Sequence, residues 1–256
     1  MSKIVSIHSF RGGTGKSNIS ANVAAQLAKD GSRVGVVDTD ISSPGIHVLF
    51  GMDEEEMTKS LNDYLWDKCA IEDAAYPVSA RIGKGVVFTI GGEIYLVPSS
   101  IRAGDITRVL REGYDVALLN DGFDALIDKL NLDYLIIDTH PGLNEETLLS
   151  VAISDALIII LRPDQQDFQG TAVTVDVARK LEVPNLFLVI NKALTSYDFD
   201  ALRKQVEEIY DAKVATILPL SEDVARMQSA DIFSLRFPDH AFSRSIRDIV
   251  TLIEAI

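Results

Sequence analysis

Residues 10–17 read Phe10-Arg11-Gly12-Gly13-Thr14-Gly15-Lys16-Ser17, directly after an apolar run, Ile4 to Ile7, and directly before a helical stripe of Ile19, Val23 and Leu27 that stops at Gly31. The physics of a phosphate-binding loop is present. Gly12, Gly13 and Gly15 let backbone N–H groups turn inward around phosphate oxygens, and a helix beginning near Ser17 adds its positive end. Thr14 and Asn18 lie in the same cradle. Lys16 is spaced to reach β- and γ-phosphates, and the Ser17 hydroxyl to ligate Mg²⁺. The standard pattern asks for glycine six residues before the lysine, and Phe10 stands there instead. A glycine-rich turn beside a chance Gly-Lys-Ser is the alternative, but it leaves the flanking strand and helix unexplained.

Working outward, further apolar runs predict strands at Val34 to Val37, Val86 to Ile90, Ile94 to Val97, Tyr134 to Ile137, Ala156 to Leu161, Leu186 to Ile190 and Val214 to Leu218. Most are continuously apolar, as when both faces of a parallel sheet are covered. Val86 to Ile90 and Ile94 to Val97, joined through Gly91-Gly92, read as a hairpin at one edge. Helical stripes fall between the strands: Val173, Val177 and Leu181; Leu202, Val206 and Ile209; Phe242, Ile246, Ile249 and Ile253. The alternation predicts an α/β chain, one doubly wound, mainly parallel sheet with helices on both faces, and a single domain over residues 1–256. Ligands of such sheets sit at the carboxyl ends of the strands.

Two acidic motifs stand at such ends. Asp38-Thr39-Asp40 follows the second strand, and Asp138 ends the run Leu135-Ile136-Ile137 before Thr139-His140-Pro141-Gly142. Asp138, an aspartate that ends an apolar strand, would hold Mg²⁺ through water beside Ser17, and the two carboxylates on alternate residues, Asp38 and Asp40, would repel a triphosphate unless a cation stood between them. An aspartate that merely caps the turn Ser42-Ser43-Pro44-Gly45 is the alternative for one of the pair.

The loop resembles the deviant Walker A motif of the MinD/ParA family, in which a signature lysine precedes two glycines; Arg11 occupies that place here. The resemblance implies a P-loop fold and ATP with Mg²⁺ as ligands. It implies that Arg11 reaches across a dimer interface to the partner's nucleotide, a task to which a planar guanidinium is suited, a solvated loop arginine being the alternative. It also implies that Asp38 supports the Mg²⁺ shell, that Asp40 orients the attacking water, and that Asp138 is the Walker B carboxylate. Lys16, Asp40 and Arg11 are thus the catalytic candidates. Asn191, after the strand ending at Ile190, corresponds to the asparagine that bonds the purine, though it reads equally well as a turn residue, and Pro219 lies where relatives present main chain to adenine. His140 reads as a solvated loop histidine, with contact to the active site as the alternative, and Arg162-Pro163-Asp164 fits the family pattern without a role that the sequence defines. The likeness runs nearly the whole chain; residues 52–133 are its least informative part.

Composition narrows the partners. The net charge of −14 repels phosphate backbones and argues against direct DNA binding. Arg102, Arg108 and Arg111 form a small basic group that reads as a solvated helix face. No apolar run reaches the ~18 residues that cross a bilayer, no signal-peptide pattern opens the chain, and the stripe Phe242 to Ile253 reads as a core helix rather than a membrane-targeting one. The single Cys69 fits a reducing compartment, so the expectation is cytoplasmic. The resemblance implies an ATP-hydrolysing switch that dimerises on Mg-ATP, turns over slowly, and is stimulated by a protein activator or cargo adaptor. Two rivals share the fold: a biosynthetic ligase, and an ATP-binding scaffold with little turnover. A reductase would need cysteines this chain lacks.

Overall fold

The computed structural model describes residues 2–256. Its first half runs β1 Lys3–His8, α1 Lys16–Lys29, β2 Arg33–Asp38, α2 Ile46–Leu49, α3 Leu61–Leu65, β3 Tyr76–Pro77, β4 Glu93–Val97, α4 Ala103–Glu112 and α5 Ala117–Leu130. Then follow β5 Tyr134–Asp138, α6 Glu145–Ala152, β6 Ala156–Leu161, α7 Gln165–Lys180, β7 Asn185–Ala193, α8 Phe199–Tyr210, β8 Lys213–Pro219, α9 Glu222–Arg226, α10 Phe233–Arg236 and α11 Ala241–Glu254.

The strands form one eight-stranded sheet in the order β3-β4-β2-β5-β1-β6-β7-β8, parallel except for β3. The chain winds from β1 toward β2 and β4, returns to insert β5, and then winds the other way through β6, β7 and β8. The β1/β5 junction is therefore the switch point at which such sheets bind ligands.

Burial explains why the strands read as unbroken apolar runs. Along β5, Ile136 faces the cluster beneath α1 and α11, while Leu135 and Ile137 face the cluster beneath α5. Along β6, Ile158 and Ile160 point to the first face and Leu157, Ile159 and Leu161 to the layer of α7 and α8. Both pleats are buried, so period-two alternation disappears. The α11 stripe is core, with Phe242, Ile246, Ile249 and Ile253 all buried. Among the described residues no helix is long and apolar enough to cross a membrane.

Three expectations fail, one of them the α8 stripe, where Ile209 is 54% exposed and Val206 and Tyr210 are the buried residues. Val86 to Ile90 is not a strand: Val87 and Ile90 are 86% and 100% exposed, and the segment is held instead by turns and by the bond from the Thr89 N–H to the Lys29 carbonyl, 3.0 Å. The antiparallel neighbour of β4 is Tyr76–Pro77. On α7, the buried face is Thr171, Thr174, Val175 and Ala178, whereas Val173 is 48% exposed. Small residues, not the valine stripe, seat that helix.

Candidate functional site

The loop after β1 carries the first half of the site. Gly13 and Gly15 hold φ of +76° and +98°, which favour glycine. A Cβ on Gly15 would also lie 2.5 Å from the Asn191 side-chain nitrogen, so no other residue fits without displacing that amide. Gly15 occupies the N-cap of α1 and offers no side chain to the first helical N–H groups, whereas Asp164, Asp198 and Ser221 cap α7, α8 and α9 with side-chain bonds. The exposed donors of α1 face a cleft of about 290 Å³ lined by Ser9, residues 12–18, Asp40, Ser43, His140 and Pro141. Such an arrangement can hold an anion.

Parallel pairing brings the carboxylates to it. Asp38 and Asp138 are register partners at the ends of β2 and β5, and Ile7 of β1 is level with Asp138. Each aspartate is 1% exposed. The Asp38 oxygens accept backbone N–H bonds from Asp40, 3.0 Å, and Gly45, 3.2 Å. Burial, followed by the neighbouring Asp138 and Asp40 carboxylates, pushes the Asp38 carboxyl up to about 8. Asp138 Oδ1 accepts the Ser20 hydroxyl at 2.8 Å and lies 3.9 Å from Lys16 Nζ, while its Oδ2 is buried without a hydrogen-bond partner among the described residues. A repelling carboxylate pair with a free, buried oxygen beside a phosphate cradle is a donor set that a hard divalent cation would complete. Asp40 lies at the rim, pushed upward by burial against the pull of Lys16 and His140, and bonded to the Ser43 N–H at 3.1 Å.

The loop after β5 is stitched to β1. The Thr139 hydroxyl donates to the Ile7 carbonyl at 3.1 Å and lies 2.7 Å from His8 Nδ1, and the Gly142 N–H donates to the Ser9 carbonyl at 3.2 Å. Burial, with Lys16 and His140 nearby, lowers His8 to about 3, so this histidine is a neutral core group.

A second, more apolar cavity of about 330 Å³ adjoins the first at Gly15 and Asn18 and is lined by Asn191, Lys192, Pro219, Leu220, Ser221, Val224, Ala225 and Phe242. Asn191 Nδ2 donates to the Thr14 carbonyl at 2.7 Å and Lys192 Nζ to the Gly13 carbonyl at 2.7 Å. A polar cradle continuous with an apolar slot has the shape of a nucleotide.

Residues 2–195 match the family model described as AAA domain. The chain belongs to that family, the P-loop ATPases of MinD/ParA type. Over 251 residues it is 26% identical to an uncharacterised ATP-binding protein of Methanocaldococcus jannaschii, covering 97% of this chain and 86% of that one. An iron-sulfur cluster carrier protein of Methanococcus maripaludis is 30% identical over 197 residues, 75% of this chain and 61% of the relative. The fold superposes on the septum site-determining protein MinD of Pyrococcus horikoshii, complexed with Mg-ADP, with TM-score 0.80, 19% identity and coverage of 99% and 96%.

Within this P-loop ATPase the sequence-predicted residues divide. Residues 12–18, Asp40, Asn191 and Pro219 line the two cavities, with Asp38 and Asp138 in the wall behind. Arg11 lines neither. Its guanidinium turns to the start of α7, where Nη1 bonds the Gln166 side-chain oxygen and lies 3.6 Å from Asp167 Oδ1. His140 takes the alternative rather than the favoured reading: it is half-buried in the cleft wall with Nε2 3.7 Å from Asp40, because the Pro141-Gly142 turn folds back on Ser9. Arg162, to which the sequence assigned no role, grips Asp167 through its N–H, Nε and Nη2, each at 2.9 Å. Burial opposes the Asp167 charge, but these bonds outweigh it and hold the carboxyl below its ordinary range. Lys192, Ser20 and His8 were also missed; only Ser20, one helical turn beyond Ser17, left a signal. The basic group at the start of and along α4 is exposed: no α4 residue is buried, and Arg108 pairs with Glu112 and lies 4.2 Å over the Trp66 ring.

Proposed function

We propose that the chain is an ATP-driven switch: Mg-ATP binding brings two copies together, a partner protein stimulates slow hydrolysis, and ADP release resets the monomer. The convergence of Lys16, Asp38, Asp40 and Asp138 at the carboxyl ends of three adjacent strands, around one cleft, carries this reading. Gly12, Gly13, Thr14, Gly15, Lys16, Ser17 and Asn18 would hold the phosphates, and Asn191 and Pro219 the base. Ser17, Asp38 and Asp138 would hold Mg²⁺, which neutralises phosphate charge when bound. Asp40 orients the attacking water, and Lys16, with Arg11 of the opposite copy, stabilises charge developing on the γ-phosphate.

The iron-sulfur carrier among the relatives supplies a second reading. The chain has one cysteine, Cys69, which is half-buried. A cluster held by four thiolates would need two from each of two copies, so that carrier's role fits this chain poorly. The ligase and scaffold readings have no observation in their favour. Partner and cargo are proteins outside this chain, and a net charge of −14 opposes direct contact with DNA.

Size-exclusion chromatography with light scattering, in ADP and in a non-hydrolysable ATP analogue, together with phosphate release, tests the switch. A doubling of the 28.0 kDa mass in the ATP state alone, with slow turnover, is expected. Turnover by a persistent monomer would reject it.

A further inference from the structure

Phe10 takes the place of the loop's first glycine, and its ring has a built seat. Gly170 lies on the buried face of α7, and a methyl group added there would overlap Phe10 at ring atoms Cδ1 and Cγ and lie 2.8 Å from its Cβ. The ring thus rests against the bare helix backbone, at a separation that only glycine permits. The socket is stiff. Thr174 bonds the Gly170 carbonyl at 3.2 Å, Asp164 caps the helix start through the Gln166 and Asp167 N–H groups, and Arg162 fixes Asp167. The next residue in sequence, Arg11, reaches two side chains at the start of the same helix. Ring and guanidinium therefore join the start of the phosphate loop to α7 at two successive turns of that helix.

We propose that Phe10, seated on Gly170, is a positioning residue that sets the backbone from which Arg11 is presented. Phe10 lines neither cavity; it acts through Arg11. The proposal rests on the reading that Arg11 serves the ATP-bound state. Alanine is the better helix former, but its methyl would meet the Phe10 ring, so a purely structural account predicts that Gly170→Ala strains the fold while the folded protein keeps its ATP-state dimerisation and turnover. Displacement of the ring predicts the opposite for function, because a misplacement of about 1 Å at a reacting group can cost orders of magnitude in rate.

The test compares Gly170→Ala, Phe10→Ala, the double variant, Phe10→Tyr and Arg11→Ala, reading ADP affinity, dimerisation with a non-hydrolysable ATP analogue, and phosphate release. Gly170→Ala and Phe10→Ala should each bind ADP within about twofold of wild type but lose on the order of tenfold or more in ATP-state dimerisation and turnover. The double variant should be no worse than Phe10→Ala, because the added methyl then meets no ring, and Phe10→Tyr should retain function. Phe10→Ala adds no clash, so it reports on the joint even where Gly170→Ala folds poorly. If Arg11→Ala is impaired in the ATP state while Phe10→Ala and Gly170→Ala are not, the positioning proposal is overturned and the switch reading stands. If Arg11→Ala itself is unimpaired, the reading beneath it has failed.

Discussion

Arg11 Nη1 lies 3.6 Å from Asp167 Oδ1 within its own chain, and Asp167, only 3% exposed at its side chain, is already gripped by Arg162. Arg11 is therefore engaged before any dimer forms. A guanidinium that is to serve the phosphates of a second copy must leave Gln166 and Asp167 first, and those contacts oppose dimerisation. Gln166 is exposed, so it is the safer place to weaken them. Gln166→Ala should tighten the ATP-state dimer by about 1 kcal/mol or roughly fivefold for each such contact released, the worth of one ordinary, solvent-exposed hydrogen bond, with ADP affinity unchanged. Analytical ultracentrifugation in the two nucleotides reads this; a weaker dimer would mean that Gln166 assists the ATP state.

Lys16 is 7% exposed and 3.9 Å from Asp138, with the loop backbone around it. Lys16→Ala removes the ammonium group that meets the phosphates and should lower ATP affinity by about 2 kcal/mol or more while the sheet folds normally. Wild-type affinity by calorimetry, with an unchanged circular dichroism spectrum, would remove the cleft from the nucleotide site.

Asp40 sits at the rim of the cleft, between the Ser43 N–H at 3.1 Å and His140 at 3.7 Å, and not in the buried pair behind it. Asp40→Ala should bind the ATP analogue and dimerise, yet turn over at least about 100-fold slower, as expected when a group acting on the attacking water is lost. Single-turnover phosphate release is the measurement, and wild-type rates would move the water-orienting role to another side chain.

Much of the site was legible because its chemistry is local. The glycines, Lys16 and Ser17 are contiguous, and Asp38 and Asp138 each end an apolar run, so strand order alone brought them together. Less was legible where packing decides. The run Val86 to Ile90 has strand-like composition, but Val87 and Ile90 face solvent, and a proline-bearing pair, Tyr76–Pro77, takes the edge. On α7 the valines invited a stripe, whereas the buried face carries Gly170, where the close approach of Phe10 requires glycine, beside Thr171 and Thr174. His140 and Arg162 act through turns and side-chain contacts that no spacing encodes.

Asp38 carries a pH signature. Its carboxyl ordinarily titrates at 3.8 and is raised to about 8 by burial and then by Asp138 and Asp40. Between those values the unfolded chain has released the proton that the fold retains, so this group makes the nucleotide-free protein lose stability as pH rises, with the effect largest above the folded value. Asp38→Asn should therefore be more stable than wild type at pH 8 by about 1 kcal/mol or more, and the gap should close toward pH 4. Denaturant melts across that range decide it; a gap independent of pH would mean that the buried pair shares its proton in another way.

The most direct test of the switch is the dimer dissociation constant of Arg11→Ala with a non-hydrolysable ATP analogue, measured beside wild type. Charge-assisted contacts buried between two copies are lost, at a cost of ~2 to 5 kcal/mol, so the dimer should weaken by roughly 30-fold or more while ADP binding by the monomer is nearly intact. Arg11→Lys should recover part of the loss, because charge returns without the bidentate fork. A dimer of Arg11→Ala as tight as wild type would show that Arg11 does not cross between copies, and would contradict the account.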